Sequence, residues 1–287
     1  MKIGLALAGG GIRGIAHVGV LKAFEENNIS IDMISGTSSG SMVATLYAMG
    51  YSADEIYKIF NKYVGNIIKI NSKPILSEIN NVIRKKKISL SGLKTGNCIE
   101  QAYKEISKIN DLKVISDIKM PLYITAVDAK ESKEYIFASK LPKELIKNKK
   151  YIQDIDIATA VRASSSFTGV FTPCKYQDKL FFDGGVLDNV PSEILRECGA
   201  DRVISVNFFS DEINEKSNIL DYVMKTLDIM GEKISEKSIR ETDCLLTIKT
   251  EGTGLLDANK IEYCYEKGYE VAKKNMNKII GMIEKLA

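Results

Sequence analysis

Two glycine-framed turns in the first forty residues constrain this chain more than anything else in it. Gly9-Gly10-Gly11-Ile12-Arg13-Gly14 follows the apolar run at 2–8, and Gly36-Thr37-Ser38-Ser39-Gly40 follows the apolar Met33-Ile34-Ser35. Each run has the length and composition of a buried strand, and each turn opens a helical pattern, at 15–27 and at 39–49. A strand that feeds directly into a helix, twice in succession, builds parallel pairing with the helices laid on the sheet.

The alternation continues along the chain. Strands are expected at 122–127, 134–138, 179–182, 202–207 and 244–249, and helices at 53–63, 158–163, 191–197, 218–240 and from 259 to the end. Ser52 with Glu55 forms a capping box for the helix at 53, and Asn97 is placed to cap a helix that runs to 109. The mixed apolar and lysine-rich stretch at 65–90 is expected to be a lid-like insertion of short helices. No repeat or low-complexity linker divides the chain. The expected architecture is a single α/β domain over 1–287, a three-layer α/β/α sandwich around a central, mostly parallel sheet.

The second turn is a GxSxG string between a strand end and a buried helix. That is the setting in which a sharp elbow lifts a serine hydroxyl above the sheet, so Ser38 is the candidate nucleophile. The first turn admits two readings. Gly9-x-Gly11-x-x-Gly14 satisfies the dinucleotide fingerprint, which also needs an acid at the far end of the second strand. Asp32 has the spacing but precedes that strand. The competing reading takes the amides of Gly9, Gly10 and Gly11 as an oxyanion hole, aided by the positive end of the following helix. Arg13 then stands ready either to grip a substrate phosphate or to hold the loop by an ion pair.

His17 is the one histidine in the chain, and no imidazole follows Ser38. A Ser-His-Asp triad is therefore excluded in its usual form, and His17 among apolar neighbours reads as a hydrogen-bonded helix residue. The base must be sought among carboxylates. Asp183, in Phe181-Phe182-Asp183-Gly184-Gly185, ends a short apolar run, while Asp128 and Asp188 read as loop and supporting groups. Ser164, Ser165 and Ser166 lack an elbow and read as a polar turn.

With these three motifs in this order the chain resembles the patatin-like phospholipase family. The resemblance extends to Ser91-Gly92-Leu93, Pro121-Leu122-Tyr123-Ile124-Thr125-Ala126, Arg162-Ala163-Ser164-Ser165-Ser166, Asp188-Asn189-Val190-Pro191 and Gly268-Tyr269, so it covers roughly the whole chain. It implies an acyl hydrolase acting on phospholipids or lysophospholipids, with Ser38 and Asp183 as a catalytic dyad and no cofactor. Thr168 stands where a proline is expected in the family's stretch, which bears on loop shape and on no catalytic group. Outside that resemblance two other classes stay open: a dinucleotide-binding protein, and a regulator that keeps the fold without turnover.

Charge and cysteine content narrow the partners. A net charge of +3 is too small to argue for nucleic acid. Basic runs at 84–87 and 143–150 are solvated surface or contacts for anionic lipid headgroups. Five cysteines without CxxC spacing fit a reducing cytoplasm. The apolar run after Met1-Lys2 is shorter than a signal-peptide core, and no stretch reaches the ~18 apolar residues of a membrane span. The expected location is therefore cytoplasmic, with peripheral membrane contact. No grouping of His, Cys and acids has metal-ligand spacing.

Overall fold

The computed structural model describes residues 1–68, 94–142, 149–209, 219–254 and 257–284. In chain order they form β1 (Ile3–Leu7), α1 (Ala16–Glu26), β2 (Met33–Gly36), α2 (Ser39–Ala48), α3 (Ala53–Ile68), α4 (Asn97–Ile109), β3 (Leu122–Asp128), β4 (Lys133–Ala138), β5 (Lys150–Ile152), α5 (Ile157–Ser164), β6 (Cys174–Tyr176), β7 (Lys179–Asp183), α6 (Glu193–Glu197), β8 (Arg202–Phe208), α7 (Ile219–Arg240), β9 (Cys244–Ile248) and α8 (Ile261–Glu284). The described strands make one sheet in the order β5-β4-β3-β2-β1-β8-β9, with β7 on β3 and β6 on β7. Pairing is parallel from β3 through β2, β1 and β8 to β9, and again between β4 and β5. The β3/β4, β3/β7 and β6/β7 pairs are antiparallel.

β1, β2 and β3 are buried at every residue, as strands covered on both faces must be. One face carries α1, α2, α5 and α8, and the other carries α6 and α7. On the second face Ser35 Oγ donates to Pro191 O at 2.6 Å, just ahead of α6. The expected three-layer sandwich is the observed one.

Local chemistry explains most boundaries and the few departures. Ser52 and Glu55 make both bonds of the capping box, at 2.8 and 3.4 Å. α4 takes Gly96, in the left-handed region at φ 73°, as its cap rather than Asn97. α3 continues through Ile68, so 65–68 extend a helix instead of opening a lid, and 69–90 lie outside the described residues. β5 and β6 escape a sequence reading because three residues are too few to show a period of two.

One topological detail positions everything that follows. Ile34, Ser35 and Gly36 pair with Leu122, Tyr123 and Ile124 of β3. Farther along, Asp183, Phe182 and Phe181 pair with Ala126, Val127 and Asp128 of the same strand. β4 occupies the other edge of β3, so β2 and β7 share a single lane and approach tip to tip. The residues just past β2 and the last residue of β7 must meet. They are Thr37-Ser38 and Asp183.

Candidate active site

Ser38 sits at the turn between β2 and α2 with φ 53° and ψ −122°. A side chain in that region is strained, and it persists only where its surroundings over-determine it. Here they do. The Ser38 N–H donates to Ser164 Oγ at 2.9 Å, and the Ser38 carbonyl accepts from Ser41 Oγ at 2.6 Å. Next to it, Thr37 N donates to Leu7 O at 3.1 Å. Thr37 Oγ1 gives its one proton to Asp188 O at 2.9 Å and so accepts from Thr125 Oγ1 at 2.7 Å. α2 lies close enough to β1 that a β-carbon on Gly40 would fall 2.7 Å from Ala8 O. Only glycine allows the elbow to be this sharp.

Asp183 is buried, and burial drives its carboxyl up to about 6. Phe181, two residues earlier on the same strand face, is fully buried against Tyr135 and Phe137. Two groups oppose the shift, the Ser38 hydroxyl and the Gly185 amide. The amide donates to Asp183 Oδ1 at 2.9 Å. The serine approaches the carboxyl without the geometry of an ordinary hydrogen bond, and Oδ2 is left buried with no partner. The Asp183 N–H is fixed on Ser166 O at 3.2 Å. Arg162 in turn holds Ser166, donating to its Oγ at 2.6 Å and to Thr172 O at 2.6 Å.

The glycine loop lies against the same elbow, and its three amides differ. Gly9 N donates to Asn189 Oδ1 at 3.2 Å and Asn189 O at 3.3 Å, and Gly10 N donates to Ser39 Oγ at 3.1 Å. Gly11, at φ 60°, is partly exposed and its amide donates to no group among the described residues. Arg13 is buried, its Nε donating to Gly10 O at 3.2 Å and its guanidinium lying over the Phe208 ring. The structure thus gives it a loop-bracing contact. His17 lies beneath the loop, fully buried, with Nε2–H donating to Ala8 O at 2.8 Å. Burial lowers it to about 4, against the opposing pull of that hydrogen bond, so it is neutral near pH 7.

Asp32, the acid required by the dinucleotide reading, is at the other end of the sheet, where its carboxylate accepts from Ile3 N at 2.7 Å. The pattern of the patatin-like phospholipase family matches residues 5–196, which include the glycine loop, the elbow and Asp183. The chain belongs to that family. Human patatin-like phospholipase domain-containing protein 6 is 29% identical over 217 residues, 75% of this chain and 14% of that protein. Lysophospholipase NTE1 of Eremothecium gossypii is 32% identical over 205 residues, 71% of this chain and 12% of that protein. The chain therefore spans a small part of the length of these relatives. The crystal structure of VipD from Legionella pneumophila shares the fold, with a TM-score of 0.51 at 13% identity over 96% of this chain and 67% of that one.

In this patatin-like chain the loop after Asp183 ties the site together. Asp188 is buried and accepts from Ser238 Oγ at 3.0 Å, on the sheet face away from Ser38. Lys149 stands nearby with its side chain 7% exposed, 3.3 Å from Glu193, 3.7 Å from Glu197 and 3.9 Å from Glu134. Of the basic run at 143–150, then, Lys149 faces inward and not toward a lipid surface, and 143–148 lie outside the described residues, as do 84–87. Asp128 accepts from Leu180 N at 3.2 Å and pins β7 to β3. Ser164, read from the sequence as part of a polar turn, and Asn189, noted there only within a family stretch, are brought by the structure onto the Ser38 and Gly9 amides. A serine-rich turn and an Asn before Val-Pro carry no signal of the backbone groups they will meet.

Proposed function

We propose that the protein hydrolyses fatty-acyl esters of phospholipids or lysophospholipids through an acyl-Ser38 intermediate. The observation that carries this reading is the tip-to-tip meeting of a strained serine with a buried carboxylate that keeps one unpartnered oxygen and whose affinity for a proton is raised. A carboxylate near its ordinary value would be a weak base at neutral pH, and one raised toward 6 is better matched to the task. The phospholipase and lysophospholipase names of the relatives support the substrate class.

In the proposed sequence Ser38 Oγ attacks the ester carbonyl carbon while its proton passes to Asp183. The carbonyl oxygen becomes an oxyanion, and the Gly11 amide, the uncommitted member of the glycine loop, donates to it. The intermediate collapses with loss of the alcohol, which takes the proton back from Asp183. A water then attacks the acyl-serine, giving its proton to Asp183, and collapse returns that proton to Ser38 Oγ and releases the fatty acid. No step calls on a metal or cofactor. Basic runs at 84–87 and 143–150, the inward-turned Lys149 excepted, would hold the enzyme against anionic headgroups, which salt-sensitive co-sedimentation, stronger with anionic than with neutral vesicles, would test. No described helix is long and apolar enough to cross a membrane.

The test is a fluorophosphonate that captures serine nucleophiles, applied together with a phospholipid turnover assay. The parent should be labelled at Ser38 and should turn over lipid ester, and Ser38→Ala should do neither while keeping its thermal stability. An unlabelled, inactive parent would favour the regulator reading, and a labelled parent that turns over no phospholipid ester would reject the substrate class. Turnover persisting in Ser38→Ala would reject the nucleophile.

A further inference from the structure

We infer that Asn189 is a positioning residue that sets which amide of the glycine loop is offered to substrate. The inference rests on the reading of Ser38 and Asp183 given above and adds a residue that the reaction itself does not use.

Asn189 grips Gly9 from three sides. Its Oδ1 accepts from Gly9 N at 3.2 Å, its backbone carbonyl accepts from the same N–H at 3.3 Å, and its Nδ2 donates to Gly9 O at 3.4 Å. Both polar backbone groups of Gly9 are thereby turned toward Asn189. Ser39 Oγ holds the Gly10 amide in the same way at 3.1 Å. With two of three consecutive amides committed, the loop has one left to give, that of Gly11. The clamp also bridges the two halves of the site, because Asn189 belongs to the loop that begins at Asp183 and Gly9 belongs to the loop beside Ser38.

The side chain must be a neutral amide to do this. A carboxylate could accept from Gly9 N but could not donate to Gly9 O. It would also lie near the catalytic carboxyl. A β-carbon built on Gly185 falls 3.0 Å from Asn189 Oδ1 and 3.2 Å from Asp183 Oδ1, so the two oxygens are separated by no more than those distances laid end to end. Two carboxylates that close resist joint ionisation.

Two variants in the full chain test this, read by steady-state kinetics across pH and by fluorophosphonate labelling. Asn189→Leu keeps roughly the volume and removes the side-chain bonds to Gly9. It should lower kcat by about 10²-fold, the scale of a displaced oxyanion donor, with KM within about threefold of the parent. Asn189→Asp should lower kcat and move the acid limb of the kcat/KM profile upward by about one pH unit, a displacement that loss of packing alone would not produce. A leucine variant that turns over within about threefold of the parent overturns the inference. So does an aspartate variant with an unmoved acid limb, whether or not the leucine variant folds. Failure of the parent to label at Ser38 would instead strike the nucleophile assignment, so the two failures read differently.

Discussion

Asp183 and Asp188 stand at the two ends of one short loop, and both are buried carboxylates that burial pushes upward. What surrounds them differs. Asp183 has a backbone amide, a serine hydroxyl and an unpartnered oxygen, and no cation contributes to its shift. Asp188 has Ser238 Oγ and the opposing charge of Lys149, which it shares with Glu134, Glu193 and Glu197. Burial tends to neutralise Lys149, but the carboxylates around it more than offset that and keep it charged. The comparison shows that burial alone does not make a base. Burial carries both carboxyls up to about 6, so what separates them is what each one faces: Asp183 meets the Ser38 hydroxyl, whereas Asp188 is turned to Ser238 Oγ and the charge of Lys149.

The widest gap between the two should be in chemistry. Asp183→Asn is expected to lower kcat by several orders of magnitude, in keeping with loss of an essential base. Asp188→Asn should stay within about tenfold of the parent, because its backbone carbonyl, not its carboxylate, holds Thr37. Turnover assays on both would dissolve the distinction if the ranking were reversed.

Stability should invert that order. Lys149→Met strands the buried Asp188 and the partly buried Glu134 and Glu193 and should destabilise the fold by about 3–5 kcal/mol at pH 8. The loss should shrink in acid, as Glu134 and Asp188, both already shifted upward by burial, take up protons. Urea melts at pH 8 and pH 5 measure both; a pH-independent loss would mean that packing, not charge, is what Lys149 supplies.

Asp183→Asn should stabilise. A carboxyl at about 6 when folded and near 3.9 when unfolded binds its proton more tightly in the native state. The stability tied to that proton is complete below the unfolded value and is lost as pH rises through the folded one. Removing the charge should therefore raise stability by roughly 3 kcal/mol above pH 7, with the gain fading toward pH 4. Equal Tm for parent and variant at pH 8 would show that Asp183 is better solvated than its burial implies.

The smallest effect is expected at the histidine. His17→Gln should leave kcat within a few-fold of the parent and remove no titration from the pH–rate profile, since His17 is neutral near pH 7 and bonded to Ala8 O. Loss of a limb near pH 6 to 7, the imidazole range, together with collapse of kcat would move the base role from Asp183 to His17.

The sequence by itself determined the helices, the two turns and every strand but the three-residue β5 and β6, because period, caps and glycines act over a few residues. It also excluded an imidazole base downstream of the serine, since a missing residue type can be read without coordinates. Ser38 could be singled out by its elbow, but Asp183 only in the company of the other motifs and the family resemblance, since Asp-Gly-Gly alone reads as a plain turn. Only the tertiary structure decided that β2 and β7 run into one lane beside β3 and bring those two residues together, and that Lys149 turns inward. The same holds for Ser164 under Ser38 and Asn189 on Gly9, whose partners are backbone amides and carbonyls. Every residue but proline carries both groups, so no sequence pattern distinguishes the ones that will be met, and long-range pairing alone selects them.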